Sequence, residues 1–143
     1  MSEAITIKRL GPDDLQMLMS VPEGLFDNPV SPEQAQAFLD SRLNILFLAF
    51  EAGNAVGMAS GTVLLHPDKP PALLINEVGV RESRRRRGIG KALTRALIDC
   101  GRKTGCHGIW LGTETYNLAA RSLYRSLGGE EFVGVFYGWD DAI

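Results

Sequence analysis

Apolar and polar residues alternate over Ala4-Ile-Thr-Ile-Lys-Arg-Leu10, a β-rich run that predicts a first strand. Gly11-Pro12-Asp13-Asp14 stops it and opens a helix, because Pro suits the first helical turn and early carboxylates suit its dipole. Leu15, Leu18 and Met19 then form one apolar face. Val21 to Val30 holds two prolines, a glycine and Asp27-Asn28, so it reads as a loop, although it carries Leu25 and Phe26. Ser31-Pro32-Glu33-Gln34 is a capping box, and the helix it opens runs through Ala35, Phe38 and Leu39 to about Arg42. Asn44 to Phe50 is a continuous apolar strand, Gly53-Asn54 makes a hairpin turn, and Val56 to Leu65 returns. After His66 to Pro71, Ala72 to Val80 is apolar on both faces except at Asn76 and Glu77. Ile89, Leu93, Ala96, Leu97 and Cys100 then line one helical stripe. His107 to Gly112 reads as a strand, Asn117 to Leu127 as a helix that ends at Gly128-Gly129, and Glu131 to Trp139 as a last β segment.

The order β-α-α-β-β-β-α-β-α-β predicts an α/β (α+β) domain around a mixed central sheet. No stretch reads as a linker or a repeat, so residues 1–143 are expected to form a single domain. A chain of 143 residues with 45% apolar content can bury a sizeable core. The net charge of −2 speaks against a chain built for nucleic acid or an anionic membrane surface. No apolar run approaches the ~18 residues that a membrane span needs. No leader pattern is read at the start, and the cytoplasm is the expected compartment. Cys100 and Cys106, with only His66 and His107 as further soft ligands, do not make a zinc site, so no metal is expected.

The uneven feature is Glu77-Val-Gly-Val-Arg-Glu-Ser-Arg-Arg-Arg-Arg-Gly-Ile-Gly-Lys-Ala-Leu93. Five of the 15 basic residues fall within 81–87. Read alone, such a run suits a nucleic-acid patch or a solvated face. Gly88-Ile89-Gly90 at a strand–helix junction points to phosphate instead. The first amides of a helix lack partners, the dipole favours an anion there, and glycine lets the backbone approach closely.

Arg85-Arg-Arg-Gly88-Ile-Gly90 resembles the acetyl-CoA pyrophosphate loop of the GNAT N-acetyltransferase superfamily, which reads Arg/Gln-x-x-Gly-x-Gly/Ala. Asn117-Leu-Ala-Ala120-Arg-Ser-Leu-Tyr124-Arg-Ser-Leu-Gly128 resembles the second signature, Asn-x-x-Ala-x-x-x-Tyr-x-x-x-Gly, and the element order agrees. Arg86 stands where Gly is common, Glu82 where many relatives have Pro, and Gly129 where Phe often follows. The resemblance implies a GNAT fold with 6–7 strands, splayed at the acetyl-CoA site, and about four helices. It places Arg85, Arg86, Arg87, Gly88, Ile89, Gly90 and Lys91 around the pyrophosphate. It sets Val78, Gly79 and Val80 along pantetheine and Asn117 near the cofactor arm. Tyr124 is implied as the acid for the leaving thiolate and Glu77 as the general base. A base is needed because an alkylamine attacks only when neutral, and its pKa is near ~10.

Arg9-Leu-Gly-Pro-Asp13, Leu25-Phe26 and Phe136-Tyr-Gly-Trp-Asp-Asp141 are also similar to GNAT-type aminoglycoside 3-N-acetyltransferases, antibiotic-resistance enzymes. That similarity implies a small-molecule amine acceptor, an aminoglycoside, with Glu23, Asp27, Glu77, Asp140 and Asp141 facing a polycation. Glu130 and Glu131 add to the acidic C-terminal segment. Proteins, polyamines and small amines remain alternative acceptors. A CoA-binding module without chemistry remains an alternative of another class. Phe132 to Trp139 offers an interface strand for a homodimer.

Overall fold

The computed structural model describes residues 4–142. The chain falls into two compact units, Met1–Gly112 and Thr113–Ile143.

The first unit is built on a sheet of β1 (Ile5–Arg9), β2 (Asn44–Glu51), β3 (Asn54–Leu64), β4 (Ala72–Val80) and β5 (Gly108–Trp110). The strands lie in chain order; the first three pairings are antiparallel, and β4 with β5 is parallel. A parallel neighbour requires a crossover, and α3 (Ile89–Lys103) supplies it. A 3-10 turn at Pro12–Asp14 leads into α1 (Leu15–Met19), and α2 (Pro32–Asp40) follows the long loop. Ser31 caps α2 through the Gln34 amide, as its capping box predicts.

β2 is apolar throughout because both of its faces are covered. Ile45 and Ala49 join Val56, Ala59, Leu73, Ile75, Ile89, Leu93 and Leu97 in the core beneath α3. Leu46 and Leu48 face the opposite way, into a second core with Leu18, Leu25, Ala35, Leu39 and Met58. The β2–β3 turn lies one residue earlier than Gly53-Asn54. Its central residues are Ala52 and Gly53, both at positive φ, because Asn54 already pairs with Glu51.

The second unit contains α4 (Leu118–Ser126) and the segment that follows it. Gly128, at φ 87, ends the helix as the sequence predicts. The expected β segment at Glu131–Trp139 is not a strand, so the sheet has five strands among the described residues, not 6–7. A strand needs a partner backbone, and this unit offers only a helix. The alternating pattern is real, but it leaves Phe132, Val133, Val135, Phe136, Tyr137 and Trp139 exposed.

Candidate active site

The site begins with an irregularity in β4. Ser60 pairs with Glu77, but Gly61 pairs with Ile75, so Asn76 is an extra residue on β4. Its side-chain Nδ2 donates to Thr62 Oγ1 at 2.9 Å, and Thr62 Oγ1 donates to Asn44 Oδ1 at 3.2 Å. A one-residue bulge shifts every later side chain to the other face. Leu73 and Ile75 lie under α3, and after the bulge Val78 and Val80 take over that role. Glu77 and Gly79 therefore emerge on the opposite face. Gly79 confirms this, since a Cβ built there would meet the Leu25 carbonyl at 3.6 Å and Met58 Sδ at 3.7 Å.

Glu77 is solvent-exposed rather than sunk in the strand interior that its apolar neighbours imply. Nearby protein still costs its carboxylate hydration, and that loss raises its pKa; the Asp27 charge raises it further. Two of the sequence-selected acids, Glu77 and Asp27, thus lie within electrostatic reach of each other. Glu23 sits exposed on the same loop, where its backbone carbonyl is engaged by Arg81 at 3.0 Å.

β4 pairs with β3 as far as Val80, whereas β5 accompanies it only from Ala72 to Leu74. From Ile75 to Val80 the other edge of β4 has no strand partner among the described residues. Backbone donors and acceptors on such an edge can bind an extended amide-bearing chain or face a developing oxyanion.

The open edge runs directly into the anion loop. Gly88 caps α3 at φ 79, a left-handed conformation that glycine adopts freely. Ala92 is the first residue whose amide closes a turn of α3, onto the Gly88 carbonyl at 3.0 Å. The amides of Gly88 to Lys91 precede that bond and carry the positive end of the helix dipole. Arg86 is left-handed too, at φ 66, which explains why glycine is common at that position. An L-residue there costs about 1–2 kcal/mol.

The arginines do not act as one positive patch. Arg84 Nε donates to Glu51 Oε1 at 2.8 Å, and Arg87 Nη2 lies 2.7 Å from Glu51 Oε2. That second contact is a close ion pair whose N–H is not aligned on the oxygen. Contact with Arg87 first, and then with Arg84, holds the Glu51 carboxyl below its ordinary range despite burial. Arg85 Nε donates to the Val80 carbonyl at 3.1 Å. Glu51 therefore shapes the anion loop from the end of β2. Sequence reading missed it, and its one signal was a carboxylate closing an otherwise apolar strand.

In the second unit, Asn117 Oδ1 accepts from the Ala120 amide at 3.1 Å and caps α4. Tyr124 is half-buried, and burial raises its pKa, so the phenol stays protonated at neutral pH. Glu131 belongs to a structural cluster rather than to a free acidic face. Arg121 Nε lies 2.7 Å and Arg125 Nη2 2.6 Å from its oxygens, and these contacts bring its pKa down to about 2. Asp140 and Asp141 are exposed in left-handed conformations on a closing turn.

Chemically, the first unit offers an anion-binding helix start, an open strand edge and a carboxylate of raised pKa in sequence along one strand and its loop. Such an arrangement suits an enzyme that holds an extended, pyrophosphate-bearing acyl donor. The model of the Acetyltransferase (GNAT) family matches residues 15–128, and the chain belongs to that family. It is an acyltransferase that uses acetyl-CoA to acetylate an amine. The N-alpha-acetyltransferase RimI of Mycobacterium tuberculosis is 33% identical over 129 residues, which are 89% of this chain and 79% of that protein. Among solved structures, an aminoglycoside acetyltransferase from an uncultured soil metagenomic sample superposes with a TM-score of 0.83 at 22% identity, covering 96% of this chain and 99% of the other. The aminoglycoside N-acetyltransferase AAC(6′)-Iy, solved in complex with CoA, superposes with a TM-score of 0.78 at 21% identity, over 99% of this chain and 98% of the other. At these identities the two structures speak to the fold alone.

Proposed function

We propose that the acceptor is an aminoglycoside and that residues 1–143 act as one acetyltransferase domain. The family match supports the single domain by running across the boundary between the two units. The observation that carries the acceptor is the Glu77–Asp27 pair. Two carboxylates held close enough to raise a pKa gain by the approach of a polyammonium ligand. The likeness in fold to aminoglycoside acetyltransferases supports the same reading.

In the proposed reaction the amine nitrogen attacks the thioester carbonyl carbon as Glu77 takes its proton, directly or through water. The oxyanion is met by a backbone amide on the open edge of β4. The C–S bond then breaks, and Tyr124 gives its proton to the thiolate. Transfer is direct and involves no metal. Pantetheine lies along Val78, Gly79 and Val80, and the amides and side chains from Arg85 to Lys91 hold the pyrophosphate. Glu23, Asp140 and Asp141 add acidic charge to the acceptor side, and Asn117 contacts the cofactor arm. Each acetylation removes one ammonium from the antibiotic, which suits a cytoplasmic resistance enzyme. The test is mass analysis of kanamycin after incubation with acetyl-CoA. A gain of one acetyl group is expected, and fragmentation assigns the 3-N or the 6′ nitrogen. No gain on any of a panel of aminoglycosides refutes this acceptor.

One observation favours a second reading. The relative at 33% identity is an N-alpha-acetyltransferase, and a protein α-amine, with a pKa of about 7.7–8.0, needs less help from a base. Acetylation of peptides but not of kanamycin would select it.

We also propose a homodimer through Phe132–Trp139. Phe132, Phe136, Tyr137 and Trp139 are 83%, 66%, 78% and 74% exposed. At about 150–250 Å² per aromatic side chain, they offer on the order of 500 Å² per copy. Two copies together offer about 1,000 Å², the minimum that a biological interface needs. Light scattering should give twice the chain mass, and Phe136→Glu should return a monomer.

A further inference from the structure

We infer that Arg81 is a positioning residue, whose guanidinium holds the Pro22–Asp27 loop over the end of β4 and so keeps Asp27 beside Glu77. This rests on the acceptor-side roles proposed for those two acids.

Arg81 follows β4 directly. Its amide donates to the Val56 carbonyl at 2.9 Å, which extends the β3–β4 ladder by one residue and fixes the root of the side chain. The side chain leaves the arginine run altogether. Nε donates to the Ala55 carbonyl at 2.8 Å, Nη1 to the Glu23 carbonyl at 3.0 Å and Nη2 to the Pro22 carbonyl at 2.8 Å. All three acceptors are backbone oxygens, one on the sheet and two on the loop. The planar fork spreads its donors over three nitrogens to match oxygens on two elements, whereas an ammonium carries all of its donors on one nitrogen.

The loop depends on that fork. From Pro22 to Val30 the two Arg81 bonds are the only hydrogen bonds that tie the loop to another element among the described residues. Its other anchors are apolar: Leu25 lies in the core with Met58, and Phe26 and Val30 pack against that core. Gly24 sits at φ 102, and a Cβ there would come within 3.4 Å of Arg81 Nη1, so the close approach is built into the sequence. The Leu25 carbonyl lies over Gly79. Glu77 is two residues back along the same face, about 6.6 Å away at the usual strand rise. Asp27 is two residues beyond Leu25 in the chain. Asp27 acts on Glu77 from the loop, while the cross-strand partner of Glu77, Ser60, is uncharged.

The test uses Arg81→Lys, which keeps the charge and loses the fork, together with Asp27→Asn and the double variant. Two measurements need no substrate. Hydrogen exchange of residues 22–30 should speed up roughly tenfold or more in Arg81→Lys, with the β3 and β4 amides still protected. The Glu77 carboxyl, titrated by carbon NMR, should fall in pKa in Arg81→Lys and in Asp27→Asn. In the double variant it should fall by less than the sum, because both changes remove the same charge from the same place. Unchanged loop exchange, or strictly additive shifts, overturns the inference.

A third measurement separates positioning from simple structural damage. The KM for kanamycin should rise about tenfold in Arg81→Lys, while acetyl-CoA affinity by calorimetry stays as in the wild type. Weakened acetyl-CoA binding with an unchanged acceptor KM would instead assign Arg81 to the donor loop and overturn the inference. If kanamycin is not acetylated at all, the acceptor proposal fails, and the exchange and NMR results still decide the role of Arg81.

Discussion

Helix α3 must lie close to the sheet for its first turn to meet the donor phosphates, and Gly57 on β3 sets that distance. A Cβ built on Gly57 would stand 2.8 Å from Leu93 Cδ1, 3.0 Å from Ile89 Cγ2 and 3.3 Å from the Gly79 carbonyl. Carbon atoms in contact prefer about 3.5–4.0 Å, so the first of these is short by roughly 0.7–1.2 Å. Leu93 is 0% and Ile89 2% exposed, so neither side chain has free space to move into. Gly57→Ala must therefore lift the start of α3. Overpacking of this kind costs about 1–3 kcal/mol, and the stiffer unfolded chain returns about 0.4–1 kcal/mol. The net loss of at most ~2.6 kcal/mol lowers Tm by up to roughly 10 °C in a chain of this size. Ile89 opens α3, so the displacement falls on the amides that face the anion, and acetyl-CoA affinity should drop about tenfold or more. Gly101→Ala is the control. Its Cβ would meet Leu73 Cδ2 at 2.7 Å, an equally severe clash about 18 Å further along the helix. That variant should melt lower and still bind acetyl-CoA as the wild type does. Scanning calorimetry and titration calorimetry read the two effects separately. Equal acetyl-CoA affinity in both variants refutes the reasoning.

Glu77→Gln should cut kcat by roughly 10²–10⁴ with the fold intact. The folded pKa of Glu77 is raised by the hydration its carboxylate loses to nearby protein and then by Asp27. Its ionised form is therefore a burden on stability above that pKa and none below the unfolded value, so Glu77→Gln should melt higher than wild type at pH 7 and equally at pH 3. Tyr124→Phe should lower kcat about 10–100-fold without changing acetyl-CoA affinity; an unchanged kcat at saturation removes Tyr124 from the chemistry. Glu131 is depressed from 4.5 to about 2, chiefly by Arg121 and then Arg125, so its stabilising effect is complete above the ordinary value and disappears as pH falls through the folded one. Glu131→Gln should flatten the pH dependence of α4 protection between pH 4.5 and pH 2, and an unaltered profile would show the cluster to be idle. Arg86→Gly relieves a left-handed arginine against the larger entropy loss of glycine, so Tm should rise by at most about 4 °C; a fall in Tm would mean the arginine side chain stabilises the loop.

Local chemistry made much of this legible. Alternation marks β1, apolar runs mark β2 to β4, a 3.6-residue period marks α3 and α4, and the Gly88-Ile89-Gly90 junction marks the anion loop, because each is set by residues adjacent in the chain. Partnership is what the sequence does not carry. The Phe132–Trp139 alternation has the period of a strand, yet the described residues of its own unit offer no strand to pair with it. Five arginines in 81–87 look like one electrostatic feature, but the fold sends four of them to Glu51 and to the Ala55, Pro22, Glu23 and Val80 carbonyls. Each of those partners is between 5 and 59 residues distant in the chain.

The placement of Glu77 turns on a single residue. In an unbroken strand, Leu73, Ile75 and Glu77 share a face, and the carboxylate would point into the core beneath α3. An ionised carboxylate there, without a partner, would be costly enough to force it neutral. The bulge at Asn76 passes the core positions to Val78 and Val80 and turns Glu77 toward the loop that carries Asp27. The same shift puts Gly79, the one β4 residue without a Cβ, beneath the Leu25 carbonyl, where the loop can settle onto the strand. Folding and chemistry therefore depend on the same extra residue. Its side chain is tied by hydrogen bonds through Thr62 to Asn44, on the strands behind it. Those bonds join three strands across the sheet, which holds the register of β4 at the point where its function begins.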